Sequence, residues 1–244
     1  MKYLRFNLRI WFGMLGLACL LASQLLAAAE MMSNQQGRQP AKARNAACAE
    51  LPAEDATNLG LIRQTLADGK PHAALAFLDA SGIAHPQAEV LRADGLRQSG
   101  REGQAEQIYR QLLSTCVSGY AYRGLGLIAA NAGNIQEAVE HLRMASAALP
   151  TEHTIRNDYG YMLMLADKGN AALHEFLTAV ELVADYRQAA HNLLLLLYRN
   201  GDDQRAQVFA RQFGVTAEEM THLQEMARQP LSHANINQER TGVQ

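Results

Sequence analysis

Eight histidines and three cysteines are the residues of widest chemical reach in this 244-residue chain. His72, His85, His141, His153, His174, His191, His222 and His233 are dispersed. None falls in the H-E-x-x-H or C-x-x-C spacing that gathers zinc ligands onto one helix face or one knuckle. Gly124-Leu125-Gly126-Leu127-Ile128-Ala129 has the outline of a dinucleotide fingerprint. That fingerprint needs a preceding strand and a βαβ unit, whereas this segment lies in a predicted helix. A P-loop, a G-x-S-x-G elbow and a paired catalytic carboxylate context do not stand out. The reading is of a non-enzyme with no catalytic, cofactor-binding or metal-ligating residues and no cofactor. An enzyme whose site escapes motif reading is the alternative from another class.

Composition narrows the partners. The chain is 48% hydrophobic, too apolar for a disordered chain, and its formal net charge is -2. That charge argues against nucleic acid as a partner, since a binder of that kind needs a basic stripe.

Lys2, Arg5 and Arg9 precede an apolar run from Ile10 to Ala29 that ends in Ala27-Ala28-Ala29. Basic residues ahead of an apolar run are the pattern of a secretory signal peptide, so residues 1–29 are read as a signal or anchor segment and the protein as exported. The run is longer than a usual signal core, and three fates compete. Cleavage after Ala29 releases a periplasmic protein. Lipidation at Cys19, within the imperfect box Gly16-Leu17-Ala18-Cys19, gives a lipoprotein. Retention of the run gives a membrane anchor through the N-terminus. Loss of residues 1–29 removes three basic residues and no acidic one, leaving a mildly acidic remainder. Of the cysteines that remain, Cys48 and Cys116 either pair in an oxidising periplasm or stay separate, Cys116 then serving as a small buried hydrophobe.

Residues 30–54 are polar and alanine-rich and read as a flexible linker, and residues 229–244 read as a disordered tail. Between them the chain repeats. Tyr122, Leu125, Gly126, Ala129, Ala138, Leu142, Ala145 and Pro150 follow the tetratricopeptide (TPR) pattern, and the pattern recurs 34 residues on at Arg156, Tyr159, Gly160, Leu163, Ala172 and Phe176. The small residues Ala74, Ala105, Ala138, Ala172 and Ala206 stand 31, 33, 34 and 34 apart. These spacings predict an all-α solenoid over 55–228. Its five helix-turn-helix repeats cover about 55–86, 87–118, 119–152, 153–186 and 187–214, followed by a cap helix at 216–228. Thr216-Ala217-Glu218-Glu219 is a capping box for that last helix, which can also be read as a partner-binding helix.

In such a stack the first helix of each repeat lines a concave groove. Helical spacing brings there Val90, Asp94 and Arg97; Tyr120, Arg123 and Leu127; Asn157, Tyr161 and Met164; and His191, Leu195 and Tyr198. Aromatic and apolar side chains among Arg, Asn and His suit a protein or peptide partner in amphipathic or extended form. Packing between helices is the competing reading for the apolar members. On the groove reading, alanine at Tyr161 and Tyr198 weakens partner capture and leaves helicity intact.

With the repeats placed, the chain resembles the TadD-type proteins of tight-adherence (Flp) pilus assembly, and more distantly the pilotin lipoproteins of type IV pili. The resemblance rests on the leader, the five repeats and the run Arg156-Asn157-Asp158-Tyr159-Gly160-Tyr161 followed by Ala189-Ala190-His191-Asn192-Leu193-Leu194-Leu195. It implies an envelope assembly factor that helps localise or multimerise a secretin or another pilus component. A general periplasmic adaptor, in another envelope assembly or in cytochrome maturation, is the second reading.

Overall fold

The computed structural model describes residues 48–230. The leader with Cys19, most of the 30–54 linker and most of the 229–244 tail lie outside the described residues. Among those described there are eleven helices and no strand. They are α1 (Ala53–Ala67), α2 (Pro71–Ser81), α3 (Pro86–Gln98), α4 (Glu102–Leu112), α5 (Ser118–Asn131), α6 (Ile135–Ala148), α7 (His153–Leu165), α8 (Gly169–Leu182), α9 (Arg187–Arg199), α10 (Asp203–Gln212) and α11 (Ala217–Arg228). The first ten form five antiparallel pairs. From α3 to α9, each first helix also packs on the second helix of the pair before it. No helix among the described residues is long and apolar enough to cross a membrane.

One device makes all five hairpins. The residue closing the first helix turn is left-handed, and the next amide donates to the carbonyl five residues back, as in Lys70 to Thr65, Arg101 to Leu96, Asn134 to Ala129, Lys168 to Leu163 and Asp202 to Leu197, at 2.8–3.1 Å. Gly69, Gly100, Gly133 and Gly201 take that position with φ of 71–79°. In the fourth pair Asp167 takes it, at φ 58°.

The periodic alanines set the helix spacing. Ala74, Ala105, Ala138, Ala172 and Ala206 each lie on the second helix of a pair and are 0% exposed. A methyl group is all that fits where the two helices cross. Around them the core runs from Leu59, Ile62 and Leu78 in the first pair to the continuous Leu193–Leu197 run of α9.

The lead-in to α1 is fastened at two points. Cys48 and Cys116 form a disulfide with Cα atoms 5.2 Å apart, joining the start of the described chain to the segment between α4 and α5. His85, the N-cap of α3, accepts at Nδ1 from the Gln87 amide and bonds through Nε2 to the Ala49 carbonyl at 3.1 Å. With Nδ1 accepting, Nε2 carries the proton and donates.

Candidate protein-interaction groove

The inner helices α3, α5, α7 and α9 carry a series of polar contacts. On α3, Asp94 accepts from the Tyr109 hydroxyl at 2.6 Å, and Arg97 lies 3.6 Å from the same carboxylate. Arg123 on α5 donates to Asp158 on α7 at 2.7 Å. Asn192 on α9 donates to Asn157 on α7 at 2.9 Å, and both asparagines are buried. These last two bonds span 35 residues, one repeat plus one position. One helical position faces the following repeat and its neighbour faces the preceding one, so residues i and i+35 meet. That interval is the signal that could have named Asp158 and Asn192 as partners of Arg123 and Asn157.

Tyr109 reaches Asp94 by passing beneath α5. A Cβ on Gly124 would come within 2.2 Å of the Tyr109 ring, so that helix position tolerates hydrogen alone. Burial, followed by the adjacent Asp94 charge, pushes the Tyr109 hydroxyl well above its ordinary pKa. Burial alone would lower the Arg97 and Arg123 guanidinium groups. Tyr109 and then Asp94 beside Arg97, and Asp158 and then Asp94 beside Arg123, outweigh it, and both end above the usual arginine value. Among the described residues the Arg97 Nε has no hydrogen-bond partner.

The structure divides the sequence-predicted groove residues into two sets. Tyr120 is 38% exposed, and Arg123 and His191 are partly exposed. Val90, Arg97, Leu127, Asn157, Tyr161, Met164, Leu195 and Tyr198 are buried. Periodicity collected them as one face of each helix. Along these short helices, however, that side is shared between open surface and the seam with the next repeat, and most of these side chains fall in the seam. For Tyr161 and Tyr198, replacement therefore removes packing rather than an exposed anchor.

Tyr120 is the exposed member of that set, and polar groups from several repeats gather around it. Tyr120 donates to Glu152 at 3.3 Å and lies within electrostatic reach of the exposed Arg63 on α1. Burial first, and then Glu152, raises the Tyr120 hydroxyl above its ordinary pKa. His153 packs edge-on against Tyr186 with ring centres 4.6 Å apart. An amphipathic tyrosine beside two guanidinium groups and partly countered carboxylates can hold a peptide by its backbone and by its acidic or apolar side chains. Sequence reading missed Arg63, Glu152 and Tyr186 because they enter this surface from the first pair and from helix ends outside the regular groove positions.

The chain is 35% identical over 179 residues to the TPR repeat-containing protein PA4299 of Pseudomonas aeruginosa, covering 73% of each chain. Among solved structures, pilF of Pseudomonas aeruginosa superimposes with a TM-score of 0.56 at 17% identity, over 75% of this chain and 84% of that one. The thermophilic TPR protein TTC0263 of Thermus thermophilus superimposes with a TM-score of 0.51 at 19% identity, over 70% of this chain and 95% of that one. At such identities the two structures speak to the fold alone. No protein-family model matches the chain.

Proposed function

The chain belongs to the tetratricopeptide-repeat proteins, and on that premise we propose that it is a non-catalytic scaffold of the bacterial envelope that assists assembly of a Flp or type IV-like pilus machine, with a secretin or another pilus component as partner. The observation that carries the scaffold reading is the exposed Tyr120 on the inner side of the third repeat, with the exposed Arg63 and the part-buried Arg123 within electrostatic reach of its hydroxyl. Placement in the envelope is supported by the basic-then-apolar leader together with the Cys48–Cys116 disulfide, a bond at home in an oxidising compartment. The pilus assignment rests on the TadD-type resemblance of the repeats.

The test is a crosslinked pull-down from envelope extract with a C-terminally tagged full chain, comparing wild type with Tyr120→Ala. Recovery of a secretin or other pilus component, reduced at least tenfold by the substitution, supports the proposal. Recovery of unrelated envelope proteins alone moves the assignment to a general periplasmic adaptor. Capture of the pilus component undiminished by Tyr120→Ala places the binding surface elsewhere.

A further inference from the structure

The last helix departs from the pattern of the stack. In the third, fourth and fifth repeats the first helix packs on the second helix of the pair before it. The connection of α10 to α11 has the same four-residue length as those of α6 to α7 and α8 to α9. Yet α11 packs against α9, the inner helix of the fifth repeat. Its first turn docks through Glu219, which receives the Arg187 guanidinium and lies 3.4 Å from His191 Nε2. Its far end docks through Arg199, which donates to the carbonyls of Ala227 at 3.1 Å and Gln229 at 2.7 Å. Between these ends Leu223 is 4% exposed, with Met220, Met226 and Ala227 half-buried against the same cluster. The outward residues Glu218, Thr221, His222, Glu225 and Arg228 are exposed.

α11 thus behaves as a ligand tethered to the protein it binds. A single fully buried side chain holds its middle, and ionic or carbonyl contacts hold its ends. A helix of 12 residues is marginal by itself, so its order depends on this docking. The surface it covers includes His191 and Tyr198, two inner-face positions of the fifth repeat.

We infer that the inner side of α9 is a binding site for an amphipathic helix with an acidic first turn and a Leu/Met stripe, and that α11 fills this site until a partner helix of the same chemistry displaces it. The cationic Arg187 and Arg199 at either end fix the polarity of the bound helix: carboxylate toward Arg187, terminal carbonyls toward Arg199. The incoming helix also takes over the cover that α11 gave the end of the solenoid, so exchange leaves no apolar face open. This inference rests on the scaffold reading but not on the identity of the pilus partner.

The test uses a fluorescein-labelled peptide of residues 215–230 and the full chain, either wild type or carrying Leu223→Asp. Fluorescence anisotropy should show the peptide binding the Leu223→Asp chain at least tenfold more tightly than wild type, because only the variant has an empty site. The same peptide carrying Leu223→Asp should not bind. Equal binding to both chains, or binding to neither while the variant keeps its helical circular dichroism, overturns the inference. Should Leu223→Asp unfold the chain, hydrogen exchange of the wild type decides. α11 amides exchanging at least tenfold faster than those of α7 and α9 support a displaceable helix, and equal protection refutes it. None of these readouts involves a pilus component, so the outcome is separable from that of the pull-down.

Discussion

Tyr109 and Gly124 show how far a single side chain constrains the stack. The consensus apolar residue at the Tyr109 position needs only to fill space. The hydroxyl here must also reach Asp94, and the ring passes so near α5 that no Cβ fits at Gly124. Gly124→Ala should therefore destabilise the fold by about 2–3 kcal/mol in urea denaturation, despite the better helix propensity of alanine. A shorter side chain at Tyr109 should recover part of that loss. At Asp167 the argument reverses: a residue with a Cβ sits in a left-handed turn where four other repeats use glycine. Asp167→Gly should raise stability by up to about 1 kcal/mol, since relief of the backbone cost exceeds the added chain entropy. Tyr161→Ala, by contrast, should cost about 3 kcal/mol or more, because the ring is buried. Thermal unfolding of these three variants would check the ordering.

At the scale of the element, α11 carries a pH dependence. Burial, ahead of its other surroundings, holds His191 below its ordinary value of 6.5, even though Glu219 pulls upward. Arg187 and His222 also act on His191, and both lower it. A depressed histidine resists protonation in the fold, so its contribution is complete above pH 6.5 and declines as pH falls through that value. Glu219 is held at about 2, first by the Thr216 amide and then by Arg187, against an ordinary 4.5. Its contribution is present above pH 4.5 and fades as pH falls toward 2. Hydrogen exchange at α11 should accordingly show two losses of protection on acidification. His191→Gln should remove the first and leave the second. A single loss at about pH 4 in the wild type would contradict the coupling of His191 to this helix.

For the whole molecule, the disulfide matters most at one end. It closes a loop with a sequence separation of 68 residues, which by chain entropy corresponds to about 4 kcal/mol. Repeat arrays transmit such effects chiefly to their neighbours. Reduction, or paired Cys48→Ser and Cys116→Ser replacement, should lower the melting temperature and expose the amides of α1 to α4, while α7 to α10 keep their protection. Uniform loss along the chain would indicate one cooperative unit instead. The same one-dimensional logic keeps the chief contact of α11 on the fifth repeat, while Tyr120 of the third stays exposed.

The number of repeats, their order and the position of each small residue at a helix crossing were legible in the amino-acid sequence, because each repeat is a local unit and its period is written in residues such as Ala138, Ala172 and Ala206. So was the capping box at Thr216 and Glu219, which depends on four consecutive residues. What only the tertiary structure decided is which inner-face side chains remain available. Asn157 and Tyr120 occupy comparable faces of their helices, yet Asn157 is spent on Asn192 of the next repeat while Tyr120 is open. The direction taken by α11 was settled in the same way. A helical period specifies a face, but whether that face meets solvent, the next repeat or the chain's own last helix depends on packing between segments far apart in sequence.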